Sequence, residues 1–191
     1  MTRFNLKADA IERLNIQYGT SLVYPLSAIG AHVSAVPNHQ TGRLTSVATR
    51  GNVALFGSFG YELDLGQLTQ QEKEAIRAQI AMYKAYRRLL LHTGIFYRLS
   101  SPFEGNDTCW MVVSKDRQTA IVGYYRVLAS ANVRHRTIKL QGLDPDMLYE
   151  VRETDSTFYG DELLYRGLPI TFDRRAGDFA SQVWILQMRN A

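Results

Sequence analysis

The hydrophobic pattern of this 191-residue sequence changes its period at Gly94. Before Gly94 the longest patterned segment, Thr69 to His92, repeats apolar residues at helical spacing, and Thr69 with Glu72 has the residue types of a capping box. After Gly94, short runs alternate apolar and polar residues, which is typical of β-strands. Because helices and strands that are segregated along a chain indicate separate layers or domains, we predict two domains, residues 1–94 and 95–191.

Strand and helix patterns alternate in the first domain. Helical spacing is found from Ala8 to Tyr18, with Gly19 as the expected stop, and again from Leu44 to Phe56. Apolar runs typical of strands extend from Ile29 to Ala35 and from Phe59 to Asp64. This order predicts parallel strands. Two parallel strands with two or three helices cannot bury both faces of a stable sheet, so we expect this domain to lack an upstream part.

Eight short runs follow Gly94, with turn residues between them at 115–117, 144–146 and 175–178. The runs are "IFYRLS", "CWMVVSK", "TAIVGYYRVL", "RTIKLQGL", "MLYEVRE", "ELLYRG", "LPITF" and "SQVWILQM". Strands joined by short turns pair in antiparallel fashion. We therefore predict an antiparallel β-sandwich of seven or eight strands.

The composition excludes several classes of function. The formal charge is +4, but the Lys and Arg residues are interleaved with Asp and Glu, so no nucleic-acid-binding face is expected. Cys109 is the single cysteine, which excludes an internal disulfide and fits a reducing compartment. No run of about 18 apolar residues occurs, so we expect no membrane partner and a soluble, cytoplasmic protein.

Four segments carry a family resemblance. They are "DAIERLNIQYGTSLVYPLSAIGAHVSAVPNHQTGR", "TRGNVALFGSFGYELDL", "FYRLSSPFEGN" and "MVVSKDRQTAIVGYYRVL". In this order they resemble the C-terminal part of the retaining α-galactosidases of glycoside hydrolase family 36, and the resemblance covers nearly the whole chain from Asp9.

The resemblance implies a fold class that combines α/β and all-β parts. In the family a TIM (β/α)8 barrel carries catalysis, and a C-terminal antiparallel β-sandwich follows it. Ile29 to Ala35 would be the seventh barrel strand, Phe59 to Asp64 the eighth, and Thr69 to His92 the closing helix. Because a whole barrel needs about 250 residues, the chain would hold only the last two β/α units.

The resemblance also implies that the catalytic residues are missing. A retaining glycosidase needs two carboxyl groups about 5–5.5 Å apart. The family nucleophile lies in a Lys-Trp-Asp motif, and neither Trp110 nor Trp184 stands in such a motif. The acid/base is the first Asp of a Ser-Asp-x-Thr-Asp-Ala pattern. Aligning Asp9 with the second Asp places Leu6 at the acid/base position and Asn5 at that of the Ser.

No catalytic, cofactor-binding or metal-binding residue is therefore predicted. The start "MTRFNLKA" departs from the family pattern, which implies a truncated chain joined to an unrelated start. For Asp9 the favoured role is a charge at the beginning of a helix.

The loop after the first predicted strand holds the candidate site residues. Ser34, Asn38 and His39 are candidates for the rim of a barrel mouth, because the carboxyl ends of barrel strands line active sites. Hydrogen bonds that fix the loop are the favoured role for Asn38 and His39. A metal site at His32 and His39 is disfavoured, because no Cys, Asp or Glu stands near them in sequence.

Two further groups have alternative interpretations. Glu62 and Asp64 share one strand face and could imitate a catalytic pair, although a polar strand end is favoured. A set of aromatic residues could form a sugar-stacking platform, although the sandwich core is favoured. This set comprises Trp110, Tyr124, Tyr125, Phe158 and Tyr159.

The resemblance implies a parent enzyme that hydrolyses terminal α-galactosyl residues of galacto-oligosaccharides such as melibiose and raffinose, with retention and without a metal. The chain alone is expected to be inactive. A non-catalytic carbohydrate-binding or interaction module and one half of a split enzyme remain as alternatives. An open parallel edge also predicts either a homo-oligomer or a need for the missing N-terminal barrel portion.

Overall fold

The chain divides into two units, residues 1–92 and 93–191. The structure is a computed structural model that describes residues 9–131, 136–170 and 176–189. Among these residues no helix combines the length and the apolar composition that are needed to cross a lipid bilayer.

The first unit alternates helices and strands. Its elements are α1 (Ala10–Ser21), β1 (Gly30–Ser34), α2 (Val47–Ala54), β2 (Ser58–Glu62) and α3 (Gln70–Arg88). Short 3₁₀ turns precede β1 and follow β2, and a π-helical turn extends α3 over Leu89–Thr93.

The two strands of the first unit are parallel, as the order of elements predicts. Their register runs from Gly30 opposite Ser58 to Ser34 opposite Glu62. Parallel neighbours need a crossover connection, and α2 provides it, since it packs against β1.

The helix ends differ from the sequence-based expectations in two places. The expected stop at Gly19 is wrong, because α1 continues to Ser21. A glycine inside a helix costs only about 1 kcal/mol, and here the Ser21 hydroxyl donates to the carbonyl of Tyr18 (2.7 Å) in the last turn. The second helix starts at Val47 rather than at Leu44, because the Ser46 hydroxyl caps it by accepting from the Thr49 amide (3.0 Å).

The start of α3 follows the prediction. The Thr69 hydroxyl accepts a hydrogen bond from the Glu72 amide, while the Glu72 carboxylate accepts from the Thr69 amide at 2.9 Å. The capping box therefore forms as the residue types indicate.

The second unit consists of antiparallel strands. They are β3 (Ile95–Ser100), β4 (Asp107–Val113), β5 (Thr119–Arg126), β6 (Arg136–Ile138), β7 (Leu148–Val151), β8 (Ser156–Tyr159), β9 (Leu168–Ile170) and β10 (Ala180–Met188). Six of them form one sheet in the order β3-β4-β5-β10-β7-β8, and β6 pairs with β9. A shared apolar core contains Met111, Tyr124, Trp184 and Leu186, together with Leu168 of β9.

One predicted strand is wrong. The run "ELLYRG" forms a π-helical turn, Glu162–Arg166, and the strand that precedes it, β8, was not expected. Leu163 is buried and the adjacent Leu164 also packs on the core, which two neighbouring residues of a strand could not do. The predicted run "LPITF" is a strand at Leu168–Ile170, while its last two residues lie outside the described part of the chain, as does the first residue of the turn at 175–178.

Just before that π-helical turn, the backbone at Gly160 packs closely against the backbone at Asp144. A Cβ atom on Gly160 would lie 1.8 Å from the carbonyl oxygen of Asp144. The amide of Gly160 donates to the carbonyl of Met147 (2.8 Å), which holds the two segments together. Only glycine fits this position without displacing backbone.

We predict that Gly160→Ala lowers the free energy of unfolding by about 1–3 kcal/mol, because the added methyl group forces backbone apart. Thermal unfolding followed by circular dichroism measures the effect. Gly105→Ala is the control, since a Cβ there has no atom within 4 Å. Equal midpoints for the two variants would contradict the prediction.

Candidate functional site

The sheet of β1 and β2 has two chemically different faces. One face is apolar, with Ala31 and Val33 buried against Ala54 of α2. Because side chains alternate along a strand, the other face carries His32 and Ser34 of β1. On the same face β2 places Ser58, Gly60 and Glu62, which pair with Gly30, His32 and Ser34 of β1. The polar face and the loop that follows β1 form the candidate site.

Asn38 organises the loop after β1. Its side-chain oxygen accepts from the amides of Gln40 (3.0 Å) and Thr41 (3.1 Å), and its own carbonyl accepts from the amide of Gly42 (2.8 Å). Because Asn38 is buried, its polar groups cannot be hydrated, and these hydrogen bonds satisfy them instead. The favoured role of Asn38, fixing the loop, is therefore present in the structure.

The other two predicted rim residues are placed differently from Asn38. Ser34 is buried at the end of β1, and its hydroxyl has no hydrogen-bond partner within the described residues. His39 is exposed in the loop. The structure thus brings a buried serine and a buried asparagine close to the end of β1, while His39 stays at the surface.

Asp9 joins the start of α1 to the same loop. Its carboxylate caps the helix by accepting from the amides of Ile11 (2.9 Å) and Glu12 (3.1 Å). The Thr41 hydroxyl donates to the carboxylate at 2.7 Å, and Arg43 donates at 2.5 Å. The helix-start role of Asp9 is confirmed, and the loop contacts extend it.

These contacts determine the protonation of Asp9. Burial would raise the pKa of the carboxyl group, but the hydrogen bonds from Thr41, from the two helix amides and from Arg43 together lower the pKa below its usual 3.8. Asp9 is therefore a charged structural anchor near neutral pH.

Glu62 and Asp64 do not act as a pair in this structure. The Glu62 carboxylate lies 3.7 Å from Nδ1 of His32 on the polar face. The Asp64 carboxylate caps a 3₁₀ turn by accepting from the Gly66 amide at 2.8 Å. The favoured reading of a polar strand end agrees with this geometry.

Sequence reasoning missed the side chains that cover the outer edge of β1. Arg13 of α1 donates to the backbone carbonyls of His32 and, at 3.4 Å, Gly30, and Arg50 of α2 donates to that of Ser34. Both arginines are buried, and burial lowers the pKa of Arg13 to about 10 despite the opposing charge of Glu62. A lone arginine in a helical pattern gives no sequence signal for such a contact.

Three of the five aromatic candidates in the second unit are buried. Trp110, Tyr124 and Tyr125 are each about 1% exposed, and the Trp110 indole donates to the Tyr125 hydroxyl at 3.2 Å. Phe158 packs against the core, and Tyr159 is exposed. The predicted core role is confirmed for the three buried rings, and they cannot serve as a sugar-stacking platform.

No metal site is found in the described part of the chain, where no three His, Cys, Asp or Glu side chains come together. The positions aligned with the family acid/base pattern, Asn5 and Leu6, lie outside the described residues.

Two protein-family descriptions match the chain, and the boundary between their matched segments lies close to the boundary between the two structural units. The Melibiase family matches residues 4–93, and the glycosyl hydrolase family 36 C-terminal domain matches residues 107–186. The chain belongs to glycoside hydrolase family 36. Among its relatives, α-galactosidase AgaA of Geobacillus stearothermophilus is 55% identical over 179 residues, which cover 94% of this chain and 24% of AgaA.

Other family 36 relatives have the same pattern of coverage. The bifunctional α-galactosidase/sucrose kinase AgaSK of Mediterraneibacter gnavus is 48% identical over 85% of this chain and 17% of its own length. The crystal structure of AgaA A355E D548N with raffinose matches 95% of this chain and 25% of that chain, with 53% identity and a TM-score of 0.91. This family 36 chain thus spans between 17% and 25% of the length of these relatives, and the likeness confirms the predicted fold class.

We predict that Asp9→Ala lowers the free energy of unfolding at pH 7 by about 1–3 kcal/mol, through loss of the helix cap and of the contacts with Thr41 and Arg43. Because the folded pKa of Asp9 is lowered, its stabilisation is present above the unfolded pKa of about 3.9 and is lost as the pH falls through the folded value. The difference between the variant and the parent should therefore shrink below about pH 4.

Urea unfolding between pH 7 and pH 3 measures this difference. Glu104→Ala is the matched control, since Glu104 is exposed. A penalty for Asp9→Ala that stays constant down to pH 3 would refute the role of the ionised carboxylate.

Proposed function

We propose that the chain is the C-terminal quarter of a family 36 α-galactosidase. Residues 1–94 would carry the last two β/α units of the catalytic barrel, with β1 and β2 as its seventh and eighth strands, and residues 95–191 would be the C-terminal sandwich. The observation that carries the proposal is the parallel pairing of β1 with β2, each followed by a helix, in a chain that spans about a quarter of its relatives.

The whole enzyme would remove terminal α-galactosyl residues from oligosaccharides, with retention of configuration. Relatives are named α-galactosidases, and AgaA variants are described in complexes with raffinose and stachyose, which supports this class of substrate. Neither a cofactor nor a metal would be needed, because two carboxyl groups suffice for the reaction. The lone buried Cys109 supports a cytoplasmic location.

The chain alone would not catalyse this reaction. A retaining mechanism needs two carboxyl groups about 5–5.5 Å apart across a sugar. Asp9 and Asp64 are held by hydrogen bonds to amides of their own segments, and only Glu62 stands on the polar face. The chain would instead supply part of the barrel wall, with Ser34, Asn38 and His39 near its mouth.

One alternative is that the chain is one half of a split enzyme. It rests on the same observation, a parallel pair of strands from an incomplete barrel. It differs only in that the remaining barrel strands come from a separate polypeptide. A carbohydrate-binding module is disfavoured, because three of the five aromatic rings considered for a sugar platform, Trp110, Tyr124 and Tyr125, are buried in the sandwich.

We predict that the purified chain does not hydrolyse p-nitrophenyl α-galactoside. Fusion of the part of AgaA that ends at the residue aligned with Ala8 to this chain at Asp9 should produce turnover. Loss of either carboxyl group of a retaining pair typically costs several orders of magnitude in rate, so the contrast should be large.

Three variants of the isolated chain serve as controls for contaminating host enzyme: Asp9→Asn, Glu62→Gln and Asp64→Asn. Any trace activity should be unchanged in all three. Turnover by the isolated chain that one of these substitutions abolishes would overturn the proposal, and so would an inactive but folded fusion.

We also predict concentration-dependent self-association of the isolated chain. Leu22 and Val23 are 63% and 78% exposed next to each other, and contiguous exposed apolar residues favour contacts between molecules. Changing both to Ser should reduce the average mass measured by light scattering, whereas Leu44→Ser, at a residue 66% exposed, is the control. A monodisperse monomer at high concentration would contradict the prediction.

A further inference from the structure

A cavity of about 370 Å³ lies in the second unit, beside the turn that joins β3 to β4 and the short strand β6. Its volume is within the range of about 300–1,000 Å³ that is typical of small-molecule sites. All of its lining residues belong to the sandwich, so the cavity is separate from the barrel part of the chain. The lining residues important for the argument are Ser101, Glu104, Asn106, Asp107, Arg136 and Ile138.

Two side chains hold the carboxylate of Asp107 at the wall of this cavity. The Tyr124 hydroxyl donates to the carboxylate at 2.7 Å, and Arg136 forms an ion pair with it. Burial raises the pKa of Tyr124 to about 12, so the hydroxyl keeps its proton and remains a donor near neutral pH. Because a carboxylate can accept about four hydrogen bonds, Asp107 retains acceptor capacity for a ligand.

Arg136 offers donors beside that acceptor. Its guanidinium group has about five N–H donors in a planar fork, more than a single carboxylate can use. The Arg136 side chain is 52% exposed, whereas that of Asp107 is only 14% exposed. An ion pair with an exposed partner contributes little to stability, so Arg136 can share its donors with a ligand at low cost. The pair thus presents an acceptor and a donor side by side, which suits two neighbouring hydroxyl groups.

The turn between β3 and β4 is fixed by its own hydrogen bonds. The Asn106 side chain donates to the carbonyl of Leu128 (2.6 Å) and accepts from the amide of the same residue (2.8 Å). The Asn106 carbonyl accepts from the amide of Val127 at 2.9 Å, and the Ser101 carbonyl accepts from the amide of Glu104 at 3.3 Å. This wall of the cavity is therefore ordered before a ligand binds, which lowers the entropic cost of binding.

The charges of the described lining residues favour a neutral ligand. The carboxylates of Glu104 and Asp107 would repel an anion, and the guanidinium group of Arg136 would repel a cation. No three potential metal ligands come together among the residues that the structure describes. Ile138 adds apolar surface to this polar lining. A neutral molecule that combines several hydroxyl groups with apolar C–H surface, as a sugar does, matches these properties.

We propose that this cavity binds one sugar residue of a neutral oligosaccharide, with Asp107 accepting from one hydroxyl group and Arg136 donating to its neighbour. Glu104, which is exposed, would accept from a further hydroxyl group. The site depends on hydrogen bonds and not on ring stacking, so it differs from the aromatic platform considered above. It would hold oligosaccharide on the sandwich, apart from catalysis. The choice of a galacto-oligosaccharide as ligand rests on the proposed function.

The test uses the whole chain, with raffinose as the probe. We expect raffinose to shift the nuclear magnetic resonance signals of the Gly105 amide and of the Asn106 side chain, because both residues line the cavity. The signals of Asn38 report on the other possible location, the loop after β1. Shifts at Asn38 without shifts at Gly105 would overturn the proposal.

Two variants remove the proposed ligand contacts separately. Asp107→Asn and Arg136→Met should each weaken raffinose binding by about 10-fold or more, the size expected for a hydrogen bond to a charged group. If Asp107→Asn fails to fold, Arg136→Met still tests the site, because Arg136 is half exposed. Asp146→Asn and Arg189→Met are the matched controls at exposed residues outside the cavity, and both should bind within about twofold of the parent.

Two further ligands test the chemical class. Inorganic phosphate should not shift the Gly105 signal, and glycerol should shift it only at much higher concentration than raffinose does. A shift by phosphate that Arg136→Met abolishes would mean an anion site, and equal potency of glycerol and raffinose would mean a site without preference for sugars. Either result would overturn the proposal, as would unchanged raffinose binding by both the Asp107 and the Arg136 variants.

Activity of the fused enzyme tests the proposed function independently. If the fusion is active and the isolated chain does not bind raffinose, the sugar site is wrong and the proposed function stands. If raffinose shifts the Gly105 signal while a folded fusion is inactive, the sugar site is supported and the proposed function is wrong.

Discussion

The hydrogen-bonding groups at the two edges of the parallel sheet constrain the rest of the first unit. A sheet of two strands has no interior strand, so every outward backbone group needs another partner. On the β1 side these partners are the buried guanidinium groups of Arg13 and Arg50. On the β2 side the partner is the hydroxyl of Tyr83. The three helices therefore stabilise the sheet through polar contacts as well as through apolar packing.

Within the described residues, the polar face of the sheet presents an imidazole beside one carboxylate rather than a pair of carboxylates. His32 and Glu62 stand there with small neighbours, and a Cβ atom at Gly60 would lie 2.8 Å from the imidazole of His32. In the proposed enzyme, further barrel strands would complete the space that these side chains line. The second unit has no such requirement, because its antiparallel sheet buries Met111 on one face and Trp110 on the other.

The sequence was informative where local chemistry decides the structure. Thr69 with Glu72 predicted a capping box, and Asp9 predicted a helix start, because both interactions involve residues two or three positions apart. The strand that the sequence predicted at "ELLYRG" is wrong. The spacing of apolar residues in so short a run does not distinguish a strand from a single helical turn. The buried arginines could not have been predicted, since Arg13 and its acceptor His32 are 19 positions apart.

By itself, the sequence determined the order of elements in the first unit, the change from helical to strand periodicity and the family. Each of these is carried by local patterns or by continuous strings of residues. Only the tertiary structure decided which backbone edge is closed by arginine and which is left to a single tyrosine hydroxyl. It also decided that Asn38 and Asp9 fix the loop after β1, while Trp110, Tyr124 and Tyr125 fill a core. The physical reason is that burial and hydrogen bonding depend on neighbours in space, which are far apart along the chain.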